Sequence, residues 1–191
     1  MPETSLASIC VFCGSRFGAV EAYRDAATKL GQVIAAEKLR LVFGGGTLGL
    51  MGATAGAARD HGGEVLGIIP SFLMEQEGLL DNIDHEIVET MHERKIKMFE
   101  ASDAFCVLPG GIGTLEETVE VLSWSSLALH QKPIVLCNID GYWDPFIELI
   151  DHVCTGGFAY PGLRQAITTV TDPDEVVPAV RQHYRTRLDR I

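Results

Sequence analysis

Two adjacent carboxylates, Glu116 and Glu117, stand behind a run of glycines in Leu108-Pro109-Gly110-Gly111-Ile112-Gly113-Thr114-Leu115-Glu116-Glu117. Three glycines within four residues let a backbone approach a ligand without side-chain bulk. The apolar run at 104–108 reads as a short buried strand, and Pro109 ends it because proline cannot donate to a ladder. Beyond the loop, Thr114 opens a stretch with helical periodicity at Leu115, Val119 and Leu122. A strand, a glycine loop and a helix N-terminus bring together unpaired N–H groups and the positive end of a helix dipole, which makes an anion site. Carboxylates beside a bound anion do not help to hold it, so they point to chemistry next to a phosphate. Helix stability alone accounts for the same residues in another way. Thr114 and Glu117 have the spacing of a capping box, and acids in a first turn are favoured by the dipole. Both readings of Glu117 stand at this level, although the glycine run is longer than a cap requires.

A second group of charges stands out against its surroundings. The chain carries 26 acids and 15 Lys and Arg, a formal net charge of -11. Between His61 and Gly162 the four bases are Arg94, Lys95, Lys97 and Lys132, and three of them fall within four residues. Thr90 and Glu93 have capping-box spacing, so Arg94 and Lys95 sit in the first turn of a helix or just after it, where the dipole disfavours cations. Arginine suits bidentate contact with phosphate or carboxylate, and lysine supplies a point charge. A local anion site explains the cluster; a solvated helix face is the alternative.

These groups have to be held by a scaffold, and the chain alternates short apolar runs with amphipathic ones. Strands are expected at 6–13, 39–43, 64–69, 104–108, 133–138 and 167–170, with a short one at 87–88. Helices are expected at 23–36, from Gly49 to about Asp60, at 91–100, from Thr114 to 129, from Asp144 to about Val153, and from Asp172-Pro173 onward; 71–84 reads as irregular and acidic. This pattern predicts an α/β fold, a Rossmann-like doubly wound parallel sheet with helices on both faces, as a single domain over 1–191. Ligands in such sheets bind beyond the strand C-termini at the topological switch point. Three glycine loops follow strands, at Gly14, at 44–49 and at 110–113, and Ser15, Gly45, Gly46 and Thr47 become candidates to hold a phosphate.

Other chemistries find less support. Gly44, Gly46 and Gly49 match the dinucleotide fingerprint, but the next strand ends Gly67-Ile68-Ile69-Pro70, with no acid for a ribose hydroxyl. The six histidines and five cysteines show no metal-site spacing, and the cysteines read as small core hydrophobes. No Gly-x-Ser-x-Gly elbow occurs, and no lysine sits in a Schiff-base context. The acidic balance argues against nucleic acid and anionic membranes as partners. Without an apolar run of membrane-spanning length or a leader pattern, a cytoplasmic protein is expected.

The sequence resembles the LONELY GUY family of cytokinin-activating phosphoribohydrolases. The resemblance rests on Gly44-Gly45-Gly46-Thr47-Leu48-Gly49-Leu50-Met51-Gly52, on Met91-His92-Glu93-Arg94-Lys95 and on Pro109 to Glu117, and it extends from about Ser8 to Tyr160. It implies hydrolysis of the N-glycosidic bond of an adenosine 5′-monophosphate, prenylated at N6 or plain, to free base and ribose 5-phosphate. It further implies no metal or organic cofactor, and a homodimer. By position, Arg94 and Glu117 would be catalytic, and substrate contacts would come from Glu77, Lys95, Gly110, Gly111, Ile112, Gly113, Thr114, Glu116 and Ser123. Two other readings share the fold: a non-catalytic carrier of a phosphorylated pterin or nucleotide, and a broad AMP nucleosidase. The chain departs from the family pattern at Arg16, where a small polar residue is usual, and at Ser126 and Ala128, which replace Gln and Gly.

Overall fold

A computed structural model describes residues 6–188 of the chain. Its strands are β1 (Ser8–Phe12), β2 (Arg40–Phe43), β3 (Val65–Pro70), β4 (Asp84–Val88), β5 (Ala104–Val107), β6 (Ile134–Cys137) and β7 (Ile167–Val170). They form one sheet in the order β4-β3-β2-β1-β5-β6-β7, with every neighbouring pair parallel. The chain starts at the centre, builds outward to β4, then returns to β5 beside β1 and builds the other way. The switch point therefore lies between β1 and β5, where Ile9 pairs with Ala104 and Phe12 with Val107.

Strands β1, β5 and β6 are buried throughout, because helices cover both faces of the sheet. Side chains alternate between two cores. Ile9 and Val11 face α1 (Glu21–Ala36), α2 (Gly49–Asp60) and α7 (Val176–Leu188), while Cys10 and Phe12 face α4 (Met91–Glu100), α5 (Ile112–Ser126) and α6 (Asp144–Thr155). Small residues let α1 and α2 approach closely: a Cβ on Gly31 would lie 2.1 Å from the Thr54 carbonyl. Cys10, Cys13, Cys106 and Cys137 are free and buried among these layers. No helix among the described residues is long and apolar enough to cross a membrane.

Two local expectations need correction. Residues 71–84 are not irregular throughout, because α3 (Ser71–Glu77) forms there; none of its residues is buried, so no apolar period marks it. Helix α5 begins at Ile112, not Thr114, with Gly111 as its N-cap. Thr114 is buried at the third helical position, and its carbonyl accepts a bond from Thr118 Oγ1 at 2.6 Å. Glu117 lies in the second turn and caps nothing. By contrast Thr90 does cap α4, accepting from the Glu93 N–H at 3.1 Å, while Glu93 returns to the Glu89 N–H.

The other end of α5 carries strain. Ala128 has φ 57, and the Leu129 and Ala128 N–H groups bond to the Trp124 and Ser125 carbonyls at 3.0 Å each. This is a Schellman turn, whose left-handed position favours glycine. Ala128→Gly is therefore expected to stabilise the protein by about 0.5–1 kcal/mol, read as a shift in denaturation midpoint at constant slope.

Candidate functional site

The loops after β1 and β5 meet at the switch point. Gly14 N–H donates to the Pro109 carbonyl at 3.0 Å, and the Gly14 carbonyl in turn accepts from the Leu50 and Met51 N–H groups at the start of α2. Beyond this junction opens a cleft of about 470 Å³, walled by both loops, the first turns of α2 and α5, and single residues from α3 and α4.

The two helix N-termini in the wall differ in what they have free. At α2, donors are already spent on Gly14, so this glycine loop is not an open phosphate cradle. Gly45, Gly46 and Thr47 are not among the cleft-lining residues. They hold other groups instead: the Glu77 carbonyl accepts from Thr47 N–H at 2.9 Å and Thr47 Oγ1 at 2.7 Å. A Cβ on Gly46 would stand 2.7 Å from Glu77 Oε2. At α5 the cap is a bare glycine, and among the described residues no acceptor meets the N–H groups of Ile112, Gly113 and Thr114. These three donors and the positive end of a 15-residue helix face the cleft. Ser15, in the loop after β1, also lines the cleft.

Arg94, on α4, also lines the cleft. It is only 6% exposed, donates from Nη2 to the Gly44 carbonyl at 3.1 Å, and leaves Nε without an acceptor among the described residues. Glu77, at the C-terminus of α3, also lines the cleft and has a buried Oε2 with no partner there. A buried donor and a buried acceptor left unmet at one cavity mark places where a polar ligand completes the bonding.

Glu117 keeps a little surface open to the cleft, yet protein packs closely round its carboxyl. Burial pushes its pKa up from the ordinary carboxylate value to about 7, against the pull of Arg94. Neighbouring Glu116 and Glu120 push the same way as burial, and Lys95 opposes them. A carboxyl poised near neutrality can take or give a proton at the pH of the cell.

The structure thus brings Arg94, Glu117, Glu77, Ser15 and residues 110–114 to one cavity. It does not bring Lys95, Glu116 or Ser123 there. Lys95 Nζ pairs with Glu116 at 2.6 Å and Glu120 at 2.9 Å. Ser123 lies eleven residues into α5, about 16 Å along the axis from its start. Sequence reasoning missed the aromatic end of the cleft, formed by Phe17, Tyr23 and Tyr142. Tyr142 follows Asp140 and Gly141, both at positive φ, and its hydroxyl donates to the Gly110 carbonyl. An Asp-Gly turn after a strand is the one sequence sign of it. Arg16, one of the departures from the family pattern, stands exposed on the rim. Among the described residues no three His, Cys, Asp or Glu side chains gather to hold a metal ion, and no lysine lines the cleft.

A family model described as possible lysine decarboxylase matches residues 51–180. The chain is 45% identical over 176 residues to the probable cytokinin riboside 5′-monophosphate phosphoribohydrolase LOGL9 of Oryza sativa subsp. japonica, covering 92% of this chain and 78% of the relative. It is likewise 45% identical to the cytokinin riboside 5′-monophosphate phosphoribohydrolase LOG5 of Arabidopsis thaliana, over 88% of this chain and 75% of that one. Among solved structures, the molybdenum cofactor carrier protein of Chlamydomonas reinhardtii superposes with a TM-score of 0.73 at 20% identity, over 94% of this chain and 99% of that chain, which speaks to the fold alone. On the extent and identity of the sequence matches, the chain belongs to the LONELY GUY family of cytokinin riboside 5′-monophosphate phosphoribohydrolases.

Proposed function

We propose that this chain hydrolyses the N-glycosidic bond of adenosine 5′-monophosphate or its N6-prenylated form, releasing free base and ribose 5-phosphate. The observation that carries this reading is the spacing along α5. Three free N–H groups at its start and the Glu117 carboxyl lie on one helix, about five residues or 7 Å apart along the axis, a span suited to a ribose 5-phosphate. The 5′-phosphate sits on the N–H groups, Glu77 and Arg94 Nε meet ribose oxygens, and the base lies toward Phe17, Tyr23 and Tyr142. Holding the phosphate fixes the glycosidic carbon near Glu117. As the C–N bond breaks, positive charge builds on the sugar, and ionised Glu117 stabilises it and takes a proton from the attacking water. The water oxygen ends on the sugar carbon, and the departing base takes up a proton.

The 191 residues act as one unit in this reading, in the cytoplasm and as a homodimer. Exposed Val119, Leu127 and Leu129 along and just beyond α5 supply an apolar surface for a second copy. Chromatography of reactions with AMP and with isopentenyladenosine monophosphate tests the activity directly. Free base is expected from at least one, and the ratio of rates separates cytokinin activation from broad AMP nucleosidase action. Tight binding without product would indicate a carrier. Because Glu117 works ionised, kcat/KM is expected to fall as pH drops through about 7 and to level off above it.

A further inference from the structure

Tyr142, at the aromatic end of the cleft, also reaches the glycine loop, where its hydroxyl donates to the Gly110 carbonyl. The segment that carries it is built to hold it there. The Asn138 side chain accepts from the Trp143 N–H and donates to Asp144 Oδ1, both at 2.7 Å, and so closes the turn between them. Asp140 within that turn has φ 50, a conformation a non-glycine residue keeps only where its surroundings impose it. Trp143 is buried, and the Tyr142 ring meets Tyr23 and Trp143 edge-on, with centroids 5.5 and 5.0 Å away.

The carbonyl held in this way belongs to the Gly110–Gly111 peptide, and a planar trans peptide points its N–H away from its C=O. The Gly111 N–H therefore faces away from Tyr142, and it meets no acceptor among the described residues. Between two glycines such a plane can turn over. A flip would carry Gly111 from φ -92 to about +90, which glycine adopts as readily, and would set the carbonyl oxygen where the N–H had been. We propose that the Tyr142 hydroxyl locks this peptide. It keeps the carbonyl aside and the Gly111 N–H in place as a fourth donor to the 5′-phosphate, beside those of Ile112, Gly113 and Thr114. The inference rests on the reading that the phosphate sits at the start of α5. Tyr142 acts here as a positioning residue, apart from any contact of its ring with the base.

Tyr142→Phe removes the hydroxyl and leaves the ring. Calorimetry with ribose 5-phosphate is expected to give a Kd about tenfold above the parent's. The KM for AMP should rise as much with kcat within about twofold, because a phosphate contact is made equally before and during bond cleavage. Gly111→Ala separates a lock from a direct contact. An added Cβ meets nothing within 4 Å there, and alanine disfavours the flipped φ. In that background Tyr142→Phe should change the Kd by no more than about twofold. A tenfold change kept in both backgrounds would make the hydroxyl a ligand contact and overturn the inference. If Gly111→Ala alone binds no ribose 5-phosphate, amide NMR of Tyr142→Phe decides: exchange broadening at Gly111 supports the lock, and a signal as sharp as the parent's overturns it. A parent that binds no ribose 5-phosphate would sink the phosphate reading and this inference together. A parent that binds it no better than Tyr142→Phe does would overturn the inference alone.

Discussion

Glu117→Gln is expected to cut base release by about 10²-fold or more and, at pH 8, to make the protein more stable by about 3 kcal/mol. The two effects have one cause. In the folded chain the carboxyl binds its proton up to about pH 7, whereas in the unfolded chain it releases it near 4.5. The folded state thus holds more protons between these values, so stability falls as pH rises through that window. A glutamine has no charge to bury and escapes the loss. The gain should be below about 1 kcal/mol at pH 5, grow through pH 7 and be complete above it. Urea unfolding of both forms at pH 5 and pH 8 measures the difference, and equal stability at pH 8 would refute the account. Turnover should fall by about 10²-fold or more with the loss of the proton acceptor, while calorimetry should find ribose 5-phosphate binding retained, since the α5 N–H groups are untouched.

Gly44→Ala should reduce kcat/KM about 100-fold without touching the cleft. A Cβ there would lie 1.8 Å from Arg94 Nη2, and Gly44 is not among the lining residues. The guanidinium is the end of a flexible side chain, so it moves away and the fold tolerates the change. What is lost is the alignment of a charged group with the reacting centre, where displacements of about an ångström can cost 10²-fold. Gly56→Ala is the matched control. That glycine is also on the segment after β2, but an added Cβ meets nothing within 4 Å, and activity should be unaffected. Similar kcat/KM values for the two variants would remove Arg94 from the mechanism.

The alternation of apolar strands with amphipathic helices is short-range information, and the parallel sheet could be read from it. Strand β7 matches its expected limits, and β6 is shorter by one residue at each end. Helix α3 escaped because it buries nothing, and the start of α5 escaped because its cap is a glycine without a capping side chain. That second miss mattered most, since it left Glu117 between a cap and a catalyst; the observed start removes the cap. The cationic cluster was legible as a cluster but not in its parts. Arg94 turns inward to a carbonyl fifty residues away, whereas Lys95 and Lys97 are met by Glu116, Glu120, Glu86 and Glu93. Pairing of this kind depends on which elements pack together, and spacing along the chain does not encode it. Tyr142 was hidden for the same reason, being a single aromatic brought to Gly110 only by the crossing from β6.

The bond between Gly14 and Pro109 has a consequence for the order in which the molecule forms. Strands β1 to β4 can assemble from neighbouring segments, but the far wall of the cleft arrives only with β5, some ninety residues after β1. Contacts so distant in sequence are closed late in folding, because the loop entropy must be lost before they form. A chain still emerging from the ribosome therefore has the α2 half of the cavity and none of the α5 donors. Nucleotide cannot guide its early folding. It can only favour the finished molecule, by mass action, once both halves of the sheet have closed.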